Sequence, residues 1–437
     1  MATSQVQLQS QAPGISRWWR VVGGLSMNLA LGSLYAWSMF VPQFMKDPDF
    51  KGKTPADYAL TFTIAVVVFA LTFVAAGRIQ DKKGPFVCSV IGGILVSIGF
   101  FMSGHAHSLE ALYVWFGVVG GLGNGFGYCT PIPVMSKWFP DRRGLAVGLA
   151  VAGYGGGSAV FGKLGLNYLI PAYGWRHTFE ILGGIFLVMT MIGAALLKNP
   201  PAGYRPAGWT PAPASKAAAT TYEFTPSETL KTPTFYFMWI AYALGCAAGL
   251  MVISQLVPFI SESLKNSGMD KAAIAGVAGT AFVVAAVGNA AGRILSGAMS
   301  DAIGRINVLR LMIAISAIGM PILWLVGGNM ILALTMVFVI YWCYGTQLSV
   351  NGSAAADFWG TKNAGLNYGM LFTAWGVAGV LGPMIGAALR KSTGSFKAPF
   401  YVGAVLAAIA LVAELLARRP AVPAHATSPA VEKATAR

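Results

Sequence analysis

Apolar segments of membrane-crossing length recur from one end of the chain to the other; Ala59–Ala76, Val87–Met102, Ile181–Leu197 and Leu309–Val326 are four of them. A helix needs roughly 20 residues to cross the hydrocarbon of a bilayer. Twelve such spans can be drawn, at about 19–42, 57–78, 84–104, 109–138, 141–170, 175–197, 233–263, 270–300, 304–327, 330–357, 363–390 and 396–417. Only 10% of the 437 residues are charged, where a soluble chain would carry roughly 25%. The expected fold is an all-α membrane protein of twelve transmembrane helices.

A net charge of +15 would suit a nucleic-acid surface, but its distribution points elsewhere. With the N-terminus and every second loop on one face, that face collects nineteen of the 30 Lys and Arg, Arg78, Lys82, Lys83, Arg142 and Arg143 among them. The opposite face has nine, including Lys46, Lys51, Lys53 and Arg176, and Lys163 and Arg293 fall inside spans. Cytoplasmic loops carry the excess of Lys and Arg. Both termini are therefore expected in the cytoplasm, with the chain multi-pass in the inner (plasma) membrane. The basic excess reads as topology, with no nucleic-acid partner. The first apolar run is a full span without a small-residue cleavage site, so no removable signal is expected. Cys88, Cys129, Cys246 and Cys343 fall within spans and read as small packers, with no disulfide or metal framework.

Residues 198–232 are rich in Pro, Ala and Thr and read as an extended linker. It separates a six-helix half at 19–197 from a second at 233–418, with tails at 1–18 and 419–437. The halves share spacing. GRIQDKKG supplies Gly77, Asp81 and Gly84, and GAMSDAIG supplies Gly297, Asp301 and Gly304, each 220 positions later. GLAVGLAVAGYG from Gly144 matches GLNYGMLFTAWG from Gly365, pairing Tyr154 with Trp375 at an offset of 221. Duplicated six-helix halves hold a substrate at the midplane between them and alternate access by rocking.

G-x-x-x-D-x-x-G between spans 2 and 3, repeated between 8 and 9, resembles the major facilitator superfamily. More narrowly, YAW in span 1 (Tyr35–Trp37), KWFPDRRGLAVGLAVAGYG across spans 4–5, GR late in span 8 and FWGTKNAGLNYG across spans 10–11 resemble its oxalate/formate antiporter family, itself related to the monocarboxylate transporters. The resemblance covers nearly the whole chain outside the tails and linker. It implies a secondary transporter of small carboxylates working by alternating access, not an enzyme, and needing no cofactor.

Arg293 is the residue that carries the chemistry. At 1.5 Å per residue it lies roughly 12 Å along its helix from Asp301, and half a hydrocarbon core is about 15 Å. Tyr128, Tyr154, Tyr344 and Trp375 fall near the same level, and the repeat-mate of Arg293 is Phe73, so symmetry supplies no second cation. Glu180, Asp357 and Glu414 sit towards span ends, leaving no obvious acidic partner at that depth. The expected counter-ion is a substrate carboxylate gripped by the guanidinium fork, with Arg293 hydrated in a polar cavity when empty. Asn289, one turn earlier on the same face, either bonds the substrate or orients the guanidinium. Tyr35, Tyr128, Tyr154, Tyr344 and Trp375 either touch ligand or only pack. Gly77, Asp81, Gly84, Gly297, Asp301 and Gly304 read as gating elements. The glycines of GGLGNGFG (120–127) read as helix-packing residues, and His105 and His107 as an external loop without a metal.

Departures from the family bear on the substrate. The oxalate transporter has a second cation, a lysine, in the span 11 motif, where this chain has Trp375. Monocarboxylate transporters carry a lysine in span 1 and an aspartate one turn before the span 8 arginine, where this chain has Met39 and Asn289. One central cation leaves half of a dianion poorly compensated in low dielectric. The expectation is a monocarboxylate such as lactate, pyruvate or formate, moved by proton symport or anion exchange. An oxalate:formate-type antiporter and a non-transporting carboxylate receptor are the alternatives.

Overall fold

A computed structural model describes residues 16–210, 220 and 222–423. The remaining parts of the two tails and of the linker lie outside the described residues.

Nine helices among the described residues are long and apolar enough to cross a membrane. One of them, Arg143–Leu196, is two spans joined at Gly174, whose φ of 74° breaks the helix. Spans 1 and 4 complete the twelve, and both are interrupted. Span 1 runs as Trp18–Leu31, tightens into a 3₁₀ stretch at Gly32–Met39 and ends with Val41–Phe44. Span 4 runs through Leu109–Leu112, a widened turn at Tyr113–Val119, Gly120–Tyr128 and Pro131–Trp138. Its break follows from Pro131, which has no N–H to continue the ladder. The Gly127 carbonyl is taken instead by the Thr130 hydroxyl at 2.9 Å.

The other spans are Pro55–Lys83, Pro85–Gly104, Arg143–Leu164 (continued by Gly165–Leu169), Ile170–Leu196, Pro233–Asn266, Lys271–Ile303, Arg305–Val326, Met330–Trp359, Ala364–Thr393 and Lys397–Leu416. Local signals account for their ends. Thr54 and Asp57 form a capping box ahead of Pro55, the arrangement that satisfies the first free N–H groups of a helix. Between spans 2 and 3 stands Gly84 at φ 84°, and between spans 8 and 9 Gly304 at φ 92°. Those left-handed turns are why the repeated motif needs glycine at its last position.

Packing inside each half depends on small residues. A Cβ on Gly92 would stand 2.3 Å from the Gly127 nitrogen, and one on Gly123 would stand 2.4 Å from the Val96 nitrogen. Spans 3 and 4 therefore meet backbone to backbone, the usual way helices associate in lipid. Of the glycines of 120–127, Gly123 serves this contact, Gly121 and Gly125 face span 2 at Ala65 and Thr72, and Gly127 faces Leu31 of span 1.

The two halves meet along two seams, span 2 against span 11 and span 5 against span 8. Both seams are tight on the side that carries the linker. A Cβ on Gly77 would lie 2.3 Å from the Gly365 carbonyl oxygen, and one on Gly148 would lie 2.1 Å from the Arg293 carbonyl oxygen. Towards the other side span 5 draws away from span 8: the matching distance is 3.9 Å from Gly162 to the Phe282 ring. The large apolar core joins both halves, whereas the core around Phe259 and Phe400 contains residues of spans 7–12 alone. The molecule is closed on the linker side.

Candidate functional site at the centre of the bundle

Span 8 delivers Arg293 to the middle of the seam with span 5, where the side chain is fully enclosed at 0% exposure. Its Nε donates to Asn289 Oδ1 at 2.8 Å, one helical turn back. Nη1 donates to the Val151 carbonyl of span 5 at 2.9 Å and, more loosely, to the Tyr128 hydroxyl of span 4 at 3.4 Å. Nη2 is buried without any hydrogen-bond partner. The guanidinium carbon lies 5.7 Å from the Tyr154 ring centre, within cation–π range. No ion pair reaches Arg293 among the described residues. An enclosed charge without a counter-ion is costly; neutral dipoles and aromatic faces stand in for one.

The expectation of a hydrated arginine in an open polar cavity does not hold in this closed arrangement. The Tyr154 ring and the oxygens of Asn289, Val151 and Tyr128 enclose the guanidinium instead. The Asn289 amide oxygen accepts from the Arg293 Nε–H and, being neutral, leaves the charge uncancelled.

The aromatic residues singled out from the sequence converge here. Tyr128 and Tyr154 meet edge to face with centroids 5.1 Å apart, and Tyr35 packs edge-on to Tyr154 at 5.4 Å. Trp375 Nε1 donates to the Tyr344 hydroxyl at 2.8 Å, and that hydroxyl is 3.2 Å from the Tyr35 hydroxyl. With the Tyr344 oxygen accepting from Trp375, its proton can go to Tyr35, which leaves the Tyr35 O–H free to donate. Tyr128, Tyr154, Tyr344 and Trp375 are buried, while Tyr35 is partly exposed. Its chain joins span 1 to spans 10 and 11 across the two halves. The 3₁₀ stretch that carries Tyr35 is pinned by Gly32, where a Cβ would stand 2.2 Å from the Tyr154 carbonyl oxygen.

The repeated motif residues lie apart from this cluster, at the linker-side end of the seams. Asp81 accepts the Gly365 and Leu366 N–H groups at 2.9 and 2.8 Å. Asp301 accepts the Gly144 and Leu145 N–H groups at 2.8 and 2.9 Å. Each aspartate thus caps the first turn of a helix in the opposite half, where free N–H groups and the helix dipole favour an anion. Gly77 and Gly297 stand one turn before their aspartates, and a Cβ on Gly297 would lie 2.3 Å from the Gly144 carbonyl oxygen. The two motifs therefore make matching contacts across opposite seams.

A family profile described as Major Facilitator Superfamily matches residues 23–277 and 271–436. The chain belongs to the Major Facilitator Superfamily. It is a multi-pass membrane transporter of that superfamily and not an enzyme. Among its relatives, the oxalate:formate antiporter of Oxalobacter formigenes is 27% identical over 399 residues, 90% of each chain. YhjX of Escherichia coli (strain K12), an uncharacterized MFS-type transporter, is 28% identical over 84% of this chain and 86% of its own. Human monocarboxylate transporter 11 is 26% identical over 91% of this chain and 82% of its own. Among solved structures, the superfamily transporter FucP in its outward conformation superposes with a TM-score of 0.65 at 15% identity, covering 91% of this chain and 98% of that one. That likeness concerns the fold.

Several residues of this transporter's centre were not evident from sequence. Asn124 accepts from the Tyr154 hydroxyl at 3.1 Å and so holds that ring over Arg293. Phe69 and Phe372 wall the other side, with centroids 5.3 Å apart and 5.2 and 5.0 Å from Trp375. Asp357, seen in the sequence only as a residue near a span end, bonds Arg143 of the first half and Arg305 of the second. Among the described residues, every ion pair on the side away from the linker lies within one half. Isolated phenylalanines and a lone asparagine in a glycine-rich span carry no sequence signal that separates them from ordinary packing.

Proposed function

We propose that the protein is a secondary transporter of small monocarboxylates, of the lactate, pyruvate or formate type. The cargo carboxylate takes up the unpaired edge of Arg293, and Tyr35 donates to it or to a neighbouring oxygen. The observation that carries this reading is the buried guanidinium with no carboxylate partner among the described residues and an unpartnered Nη2. The oxalate:formate antiporter and the monocarboxylate transporter among its relatives support the substrate class. Trp375 argues against a dicarboxylate, because its N–H is spent on Tyr344 and it brings no second cation. Tyr128, Tyr154, Tyr344 and Asn289 shape and orient the site. Asp81 and Asp301, with Gly77, Gly84, Gly297 and Gly304, form the gate on the linker side. Exchange against a second anion or symport with a proton completes the cycle. A thermal-shift screen of mono- and dicarboxylates on purified protein, followed by uptake into proteoliposomes, tests the reading. A stabilising carboxylate without flux would make the protein a receptor, and no stabilising carboxylate would end the proposal.

Trp375→Lys supplies the missing cation. The variant should bind dicarboxylates better relative to monocarboxylates by roughly tenfold or more, with desolvation consuming part of the ion-pair gain. The ratio of dissociation constants for oxalate and formate reads it. An unchanged ratio in folded protein would mean that Trp375 does not face the cargo.

We further propose that residues 19–197 and 233–418 form the two moving halves, that 198–232 is the linker between them, and that the linker side is cytoplasmic in an inner membrane with both termini inside. A cysteine at Lys83 should react with an impermeant thiol reagent only from the cytoplasm, and one at Ser108 only from outside. Labelling of the Lys83 site in intact cells would reverse the assignment.

A further inference from the structure

The connection between the halves is tied to both of them. At its start, Trp138 Nε1 donates to the Lys198 carbonyl at 2.6 Å, and the Trp138 ring packs on Tyr204 with centroids 4.7 Å apart. At its end, Thr220 and the stretch Tyr222–Phe224 lie across the loop between spans 10 and 11. The Thr220 N–H donates to the Asp357 carbonyl at 2.9 Å, and the Phe224 N–H to the Trp359 carbonyl at 3.0 Å. The Phe224 carbonyl accepts from Asn363 and Asn367 at 2.9 and 3.3 Å. The Glu223 carboxylate accepts the Lys362 N–H at 2.7 Å and stands 3.5 Å from the Thr361 hydroxyl. The Phe224 ring is buried. Past it, the helix Pro226–Lys231 starts on a Thr225–Glu228 capping box.

The residues gripped by this strap are the ones through which the second half meets the first. Asp357, held by its carbonyl, reaches Arg143 with its side chain. Residues 360–363, held by Glu223 and Phe224, lead directly into Gly365 and Leu366, whose N–H groups Asp81 caps. Gly360 needs its φ of 84° here, and a Cβ on it would stand 2.2 Å from the Glu223 carboxylate.

We propose that Thr220 and Tyr222–Phe224 form a latch that holds the linker-side gate shut, whichever cargo is carried. A contact shifts a conformational equilibrium only if it favours one state. The strap meets that condition through the contacts it prepares. It orders the 357–363 segment beforehand, so the Asp81 cap and the Asp357–Arg143 bond, both made between the halves, form without the entropy cost of fixing one partner.

Spin labels at Lys82→Cys and Ala302→Cys stand on opposite halves at the linker-side mouth, both at exposed positions, and the native cysteines are all buried. Pulsed dipolar spectroscopy on the reconstituted full-length chain then reads the open fraction. Glu223→Ala should raise the long-distance population roughly fivefold, the factor expected from losing about one net hydrogen bond from the closed state. Phe224→Ala, which keeps the main-chain bonds but loses the buried ring, should raise it by about as much or more. Glu223→Gln keeps an accepting oxygen and should raise it less. Wild-type distance distributions in both alanine variants, at near wild-type melting temperature, would overturn the latch. Should Phe224→Ala fail to fold, the exposed Glu223→Ala decides alone: a rise upholds the latch and an unchanged distribution ends it.

Discussion

Arg293→Gln is expected to lose the carboxylate-induced rise in melting temperature while melting, without ligand, at or above the temperature of the parent. The two halves of this expectation have different origins. Hydrogen bonds to a charged group are worth about 1.5–3 kcal/mol each, so losing a two-point grip should weaken carboxylate binding by 100-fold or more. The ligand-free protein, by contrast, holds a guanidinium at 0% exposure with no counter-ion among the described residues. Glutamine removes that buried charge, and relief of the desolvation cost offsets the lost contacts to Val151 and Tyr128. Arg293→Lys keeps the charge but not the planar fork, so it should bind weakly and leave transport impaired. Differential scanning measurements with and without ligand, on parent and both variants, decide the matter. A variant that keeps its ligand shift would move the cargo site elsewhere. One that melts well below the parent before ligand is added would make the arginine structural.

Gly148→Ala should abolish most transport without touching the cargo. The added methyl would stand 2.1 Å from the Arg293 carbonyl oxygen, 2.9 Å from its carbonyl carbon and 3.2 Å from the Ile294 Cα, all backbone atoms. None can swing aside, so spans 5 and 8 must separate and the linker-side seam cannot close as it does here. Overpacking of this kind costs about 1–3 kcal/mol, enough to shift the balance towards the linker-side-open form roughly 5- to 100-fold. Intrinsic helix propensity pulls the other way, since alanine exceeds glycine by about 1 kcal/mol. Gly156→Ala is the internal control, because it lies in the same span and a Cβ there meets nothing within 4 Å. Exchange in proteoliposomes should fall by about an order of magnitude or more for Gly148→Ala and stay near wild type for Gly156→Ala. Equal activity of the two variants would mean that the seam opens and closes without this contact.

Much of this architecture is legible in the chain because it rests on short-range patterns. Spans such as Pro85–Gly104 and Arg305–Val326 follow from apolar length, and their boundaries from Gly84 and Gly304, whose turns need positive φ. The duplicated Gly77–Asp81–Gly84 and Gly297–Asp301–Gly304 motifs mark matching contacts on the two seams at the linker-side end. Arg293 stood out as a charge at membrane depth, and the aromatic residues around it as neighbours in level. Interruption of spans 1 and 4 was less visible, since the 3₁₀ stretch at Gly32–Met39 comes where Gly32 meets the Tyr154 backbone of span 5, a contact far apart in sequence.

What sequence alone determined, then, was which residues lie at which depth, because depth depends on counting along single helices. Rotation and partner are another matter. That Trp375 points to Tyr344, that Asn124 holds Tyr154, and that Phe69 of one half meets Phe372 and Trp375 of the other, were decided by how the spans pack together, whereas Asn289 meets Arg293 one turn along the same helix. Asp81 shows the difference most clearly: its motif announces a gate, but its bond to Gly365 and Leu366 joins residues 284 and 285 positions apart. No local rule pairs an aspartate with a helix end so distant. Only packing that brings backbone to backbone through glycine delivers one to the other.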